Sequence, residues 1–179
     1  MLLRADLTPH PLNPPKAIRE VQVEVDLSQS GLVTLWYTVF GDISELVVPE
    51  EQSPARVDGL WETTCFELFV SAAGSSYREF NFSPSSQWAA YAFSGPREGV
   101  EPFAIDHDPI ISFAQPNMCF ELHVTLPDNL VAGDRIGLSA VVEERDGRKS
   151  YWALRHPAGD ADFHHPDCFA LEVPAAGKS

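Results

Sequence analysis

Polar and apolar residues alternate along most of this chain with a period of two. Val21, Val23, Val25 and Leu27 alternate with Glu20, Gln22, Glu24 and Asp26, the pattern of a half-buried strand with one wet face. "LVTLWYTVF" (Leu32 to Phe40) follows across the turn "SQSG" and predicts a hairpin partner. Further on, "TCFELFVSA", "YREFNF", "QWAAYAF", "IISFA", "MCFELHVTL", "RIGLSAVVEE", "SYWALR" and "CFALEV" are short, β-branched or aromatic, and separated by Gly, Pro, Asn, Asp or Ser. "EERDGRK" centres Asp146-Gly147 between two such runs and predicts a tight hairpin. Only "PDNLVAGDRIG" has room for a helical turn. The fold class predicted is all-β, an antiparallel sandwich of immunoglobulin-like or jelly-roll type. Residues 1–18, rich in proline, are expected as an extended arm, 19–174 as the sandwich and 175–179 as a short tail.

Two of these strands carry acids inside an apolar pattern. In "CFELFVS" the positions Phe66, Leu68 and Val70 are apolar, leaving Cys65, Glu67, Phe69 and Ser71 on the reverse. In "YREFNF", Phe80 and Phe82 match the apolar set, leaving Tyr77, Glu79 and Asn81. If both apolar sets turn inward, a hairpin closed by "AAGSS" pairs Leu68 with Phe80 and Glu67 with Asn81. One sheet face then carries Glu67, Phe69, Tyr77, Glu79 and Asn81 together. Carboxylates, an amide and flat rings on one face suit a saccharide, whose hydroxyls take polar partners while its C–H faces take aromatic ones. Trp61 and Trp88, at the heads of neighbouring strands, are expected to rim that face. The alternative is that the three polar groups satisfy one another. Trp36 reads as core.

With 179 residues and 44% apolar content the chain can bury one sizeable core. A net charge of −14 disfavours nucleic acid and anionic membrane surfaces as partners. The N-terminus shows no apolar signal region, so a cytoplasmic setting is the expectation. The three cysteines, Cys65, Cys119 and Cys168, form no CxxC pair and read as reduced hydrophobes. No P-loop, dinucleotide fingerprint or GxSxG elbow occurs. Glu67 and Glu79 could form a glycosidase pair, yet a small sandwich offers only a shallow cleft. The loop "RHPAGDADFHHPDCF" gathers His156, His164, His165 and Asp167, a candidate metal set, with calcium the ion if carboxylates dominate; turn capping is the competing use.

"LWETTCFELFVSAAGSSYREFNFSPSSQWAAYAF", with "SYWALRHPAGDADFHH" further on, resembles the DOMON-like superfamily, whose relatives include the family 9 carbohydrate-binding modules. The resemblance implies a β-sandwich that binds a sugar or a haem on one sheet. Carried over from the sugar binders, Trp61, Trp88, Glu67, Glu79 and Asn81 would hold the saccharide. Haem ligation would draw on methionine and on His123, His156, His164 or His165. The expected function is a non-catalytic binding module for a small saccharide or sugar-like metabolite, with a haem module or a metal-dependent enzyme as alternatives.

Overall fold

The computed structural model describes residues 1–116, 118–131 and 135–173, with backbone only at Asp128. The strands are β1 (Leu2–Pro9), β2 (Ile18–Asp26), β3 (Leu32–Gly41), β4 (Cys65–Ser71), β5 (Tyr77–Phe82), β6 (Trp88–Phe93), β7 (Glu101–Pro102), β8 (Ile110–Ala114), β9 (Cys119–Pro127), β10 (Arg135–Glu143), β11 (Lys149–Ala153) and β12 (Leu171–Glu172). They form one strongly curled antiparallel sheet in the order β7-β6-β5-β4-β10-β11-β1-β2-β3-β9-β8, with β12 added to the start of β10. Its two halves close on each other as a β-sandwich. Among the described residues, no helix is long and apolar enough to cross a membrane.

The alternation read from the sequence decides the core. Val21, Val23 and Val25 of β2, Val33, Leu35, Tyr37 and Val39 of β3, and Phe120, Leu122, Val124 and Leu126 of β9 face Phe66, Leu68, Val70, Phe80 and Phe82 of the other half. Tyr37 reaches across the interface and donates its hydroxyl to the Glu67 carbonyl at 2.8 Å, while the Phe66 and Phe120 rings stack at 6.0 Å. The β10–β11 hairpin turns at Asp146-Gly147, with Glu143 opposite Lys149 and Gly147 at φ 84°, the left-handed conformation that glycine adopts without strain.

Two expectations are corrected. The N-terminal segment is not an arm: Leu2 to Leu7 pair with β2, and Thr8 and Pro9 pair with Ala153 and Trp152 of β11. β1 is the strand that links the two halves. Its prolines fall at Pro9 and beyond, so Leu2–Thr8 keeps the N–H groups a ladder needs. The remainder of the segment is fastened by Glu144, whose buried carboxylate accepts from the backbone N–H of Lys16 (2.8 Å) and Ala17 (3.0 Å). Trp36 is not core but 39% exposed, its ring against His123 at 3.9 Å. Leu35 and Tyr37 take the inward positions of β3, and the pleat sends Trp36 outward. The expected tail, 175–179, lies outside the described residues.

Candidate functional site

The β4–β5 hairpin pairs Glu67 with Asn81 and Leu68 with Phe80, the register that the apolar pattern demands. β10 lies on the other side of β4 with Ser139 opposite Glu67, and β6 lies beyond β5 with Tyr91 opposite Glu79. The outward face of this half therefore carries a band of Ser139, Glu67, Phe69, Glu79, Asn81 and Tyr91. The face is not solvated. Segments around Trp61, Arg97 and the stretch from Ala161 to Phe169 lie over it, and a second apolar cluster that includes Phe69, Tyr77, Tyr91, Phe93, Phe163 and Phe169 forms beneath them. Gly137 permits a close approach: a β-carbon there would stand 2.8 Å from the Phe169 ring.

Between cover and sheet is a cavity of about 360 Å³ lined by Glu67, Glu79, Tyr91, Phe93, Val141 and Tyr151 from the strands, and by Trp61, Arg97, Val100, Ala161, Phe163 and His164 from the cover. Glu67 and Glu79 are only 3% and 5% exposed. Ser139 Oγ donates to Glu67 Oε2 at 3.0 Å, and Asn81 Nδ2 donates to Glu79 Oε1 at 2.8 Å. Burial raises both carboxyls well above the usual carboxylate range. For Glu67 the neighbouring Glu79 charge adds to the rise, while Ser139 and Arg97 oppose it. For Glu79, Asn81 and Arg97 oppose it.

The state of His164 follows from its partners. The Arg97 N–H donates to the Tyr77 hydroxyl oxygen at 3.1 Å. That leaves the phenol proton for His164 Nδ1, at 2.7 Å. On this assignment Nε2 carries the imidazole proton and stands 3.8 Å from Glu79 Oε2. Burial, and then the Arg97 charge, push the imidazole down to about 4 against the pull of Asp162, so it is neutral near pH 7. Arg97 takes a left-handed backbone, φ 59°, a conformation strained for a residue with a side chain. Its guanidinium is held by Asp162 Oδ1 at 2.9 and 3.2 Å.

The sequence-predicted residues separate into three groups. Trp61, Glu67 and Glu79 line the cavity. Tyr77 and Asn81 stand behind it, orienting His164 and Glu79. Trp88 is elsewhere: it pairs with Phe82, faces the main core and is 5% exposed. Its position opposite an inward residue decides its side, whatever its place at the head of the strand. The candidate metal set does not assemble. His156 Nε2 lies 2.7 Å from the Thr8 carbonyl, the ring nitrogen of His165 caps Asp167 N–H at 3.2 Å, and only His164 reaches the cavity. Among the described residues no group of three or more His, Cys, Asp or Glu side chains is placed to hold a metal ion. His123 lies on the opposite half, against Trp36.

Tyr91, Phe93, Tyr151 and Phe163 were missed. For Tyr91 and Phe93 a signal existed, because Ala89, Tyr91 and Phe93 alternate with Trp88, Ala90 and Ala92 and so share the face of Glu79. For Phe163 none existed, since it reaches the cavity from irregular chain.

No protein-family model matches this chain, and no curated protein matches it in sequence. Among solved structures it is similar to the crystal structure of a "putative carbohydrate-binding protein" from Bacteroides uniformis, at 15% identity and a TM-score of 0.58, over 94% of this chain and 83% of that one. At that identity the likeness is one of fold, and it joins the strand pairing above in placing the chain among antiparallel β-sandwiches.

Proposed function

We propose that this protein is a non-catalytic binding module for a small saccharide or sugar-like metabolite, held in the cavity over β4, β5, β6 and β10. The observation that carries the reading is the lining itself, in which two buried carboxyls and a neutral imidazole share about 360 Å³ with Trp61, Tyr91, Phe93, Tyr151 and Phe163. Hydroxyls take carboxyl and imidazole partners, and the C–H faces of a sugar ring lie against aromatic walls. The space is at the lower end of ordinary small-molecule sites and fits one or two sugar rings.

The binding class given to the Bacteroides neighbour and the resemblance of the stretch from Asp58 to Phe93 to the DOMON-like family 9 carbohydrate-binding modules support the same reading.

Trp61 is the tryptophan that lines the cavity; Trp88 and Trp152 are core and Trp36 faces outward from the other half. A panel of mono- and disaccharides should therefore change fluorescence in the wild type and leave it unchanged in Trp61→Phe, with binding itself followed by calorimetry. No heat and no fluorescence change with any member of the panel would overturn the proposal.

A further inference from the structure

Glu67 and Glu79, on adjacent strands, line one partly open cavity, and among the described residues no buried cationic side chain lines it with them. Arg97 is the one cationic side chain among the described lining residues, but its guanidinium is bound to Asp162 and its side chain is 61% exposed. Among the described residues each carboxyl receives one side-chain hydrogen bond, from Ser139 and Asn81 respectively, while an ionised carboxylate has about four acceptor positions. His164 Nε2, 3.8 Å from Glu79 Oε2, stands beyond hydrogen-bond reach of it. A site evolved only for neutral hydroxyls could use amides and hydroxyls, which do not carry the desolvation cost of two adjacent acids.

Resting on the saccharide reading above, we propose that the ligand is cationic: an amino sugar whose protonated amine pairs with Glu67 and Glu79 while its ring lies against the aromatic walls. The walls suit this, because ring faces attract cations, most strongly where water is excluded. The charge of −14 on the whole chain draws cations toward it. Chemically, the arriving ammonium N–H groups donate to the free carboxylate positions, and any proton held on the acid pair leaves to solvent. Binding thus releases protons wherever the empty pair is protonated. The other titratable or charged groups around the pair are Arg97, Asp162 and His164 from the cover, Cys65, Tyr77 and Tyr91 from the sheet, and Tyr37 from the opposite half.

Calorimetry with glucosamine against glucose, and galactosamine against galactose, tests this at pH 7 in two buffers of different ionisation heat. The amine form of at least one pair should bind tighter than its neutral form by about tenfold or more, the scale of a charge-assisted hydrogen bond. Its heat should depend on the buffer in the sense of proton release. Glu67→Gln and Glu79→Gln, which keep shape and folding, should erase the preference. Equal or tighter binding of the neutral sugars would overturn the inference and leave the saccharide reading standing. Methylammonium binding with no sugar binding would overturn the saccharide reading, and the amino sugar with it, and leave only a cation at the acid pair. Heat from neither sugars nor methylammonium would overturn both.

Discussion

The two outward faces of this sandwich begin from the same sequence pattern and end in opposite environments. On the half built from β1, β2, β3 and β9, the outward positions carry Glu20, Gln22, Glu24, Trp36 and His123. Arg4 meets Glu24 at 2.6 Å with its side chain 71% exposed, and Gln22 meets Glu20 at 2.6 Å in solvent. On the half built from β4, β5, β6 and β10, the outward positions carry Glu67, Glu79 and Asn81, all buried. The pleat gives both sets of acids one geometry. Cover over the second face removes water from its acids, and that loss, with the Glu79 charge beside Glu67, turns ordinary carboxylates into groups with raised pKa. Alternation tells which residues share a face, and loops decide whether the face is wet.

Aromatic truncation should break the symmetry of the two faces most visibly. Phe69→Ala removes a ring packed against Tyr77, His164 and Phe169 and should cost about 3–5 kcal/mol in urea unfolding. Trp36→Ala, on the open face, should cost about 1 kcal/mol or less by the same measurement. Comparable losses would mean that the cover does not behave as core.

The acids differ next. Glu67 and Glu79 are raised to about 8 and about 7, above the unfolded value near 4.5. The folded state therefore holds more protons than the unfolded one between these limits. Their contribution to stability is complete below about pH 4.5 and is lost as pH rises toward 8. His164 has the opposite sign: its folded pKa of about 4 lies below the unfolded 6.5, so its contribution is present above pH 6.5 and lost on acidification. Between pH 6.5 and 8 the acid pair dominates, and the ligand-free protein should lose up to about 1 kcal/mol per pH unit for each acid while it titrates. Glu67→Gln should flatten that fall and raise stability at pH 8 by about 1–2 kcal/mol. Glu24→Gln should change stability at pH 8 by no more than about 0.5 kcal/mol. A wild-type melting temperature constant from pH 6.5 to 8 would contradict the contrast.

Smaller effects sharpen it. Tyr77→Phe keeps the ring stacked on Phe93 but removes the bonds to His164 and Arg97 N–H, a loss of about 1 kcal/mol; nuclear magnetic resonance should also show the His164 tautomer preference relax. At the bottom of the scale, Arg4→Ala breaks an exposed ion pair and should cost less than about 0.5 kcal/mol. A larger loss would show the open face to be more than a solvated surface.

Much of the scaffold was legible along the chain. Phe66, Leu68, Phe80 and Phe82 specify both the inward side and the β4–β5 register, because a slip of one residue would turn every ring into water. From that register, Glu67, Glu79 and Asn81 fall on one face without further information. The failures have a common cause. Trp88 and Trp36 were placed by residue type and strand position, where the parity of their neighbours sends the first inward and the second outward. His156, His164 and His165 are close in sequence but lie in irregular chain, where spacing fixes no direction, so their proximity carried no ligand geometry.

The amino-acid sequence alone determined the strand class, the hairpins and the identity of the residues on each sheet face, since these follow from a period-two backbone and the need to bury apolar side chains. Tertiary structure alone decided that one of two similar faces is roofed, that β1 links the two halves, and that Arg97, Phe163 and His164 reach Glu67 and Glu79 from distant loops. Those outcomes depend on how nonlocal segments pack, and no local periodicity encodes them. The cavity exists because of that packing, and with it the chemistry proposed for the site.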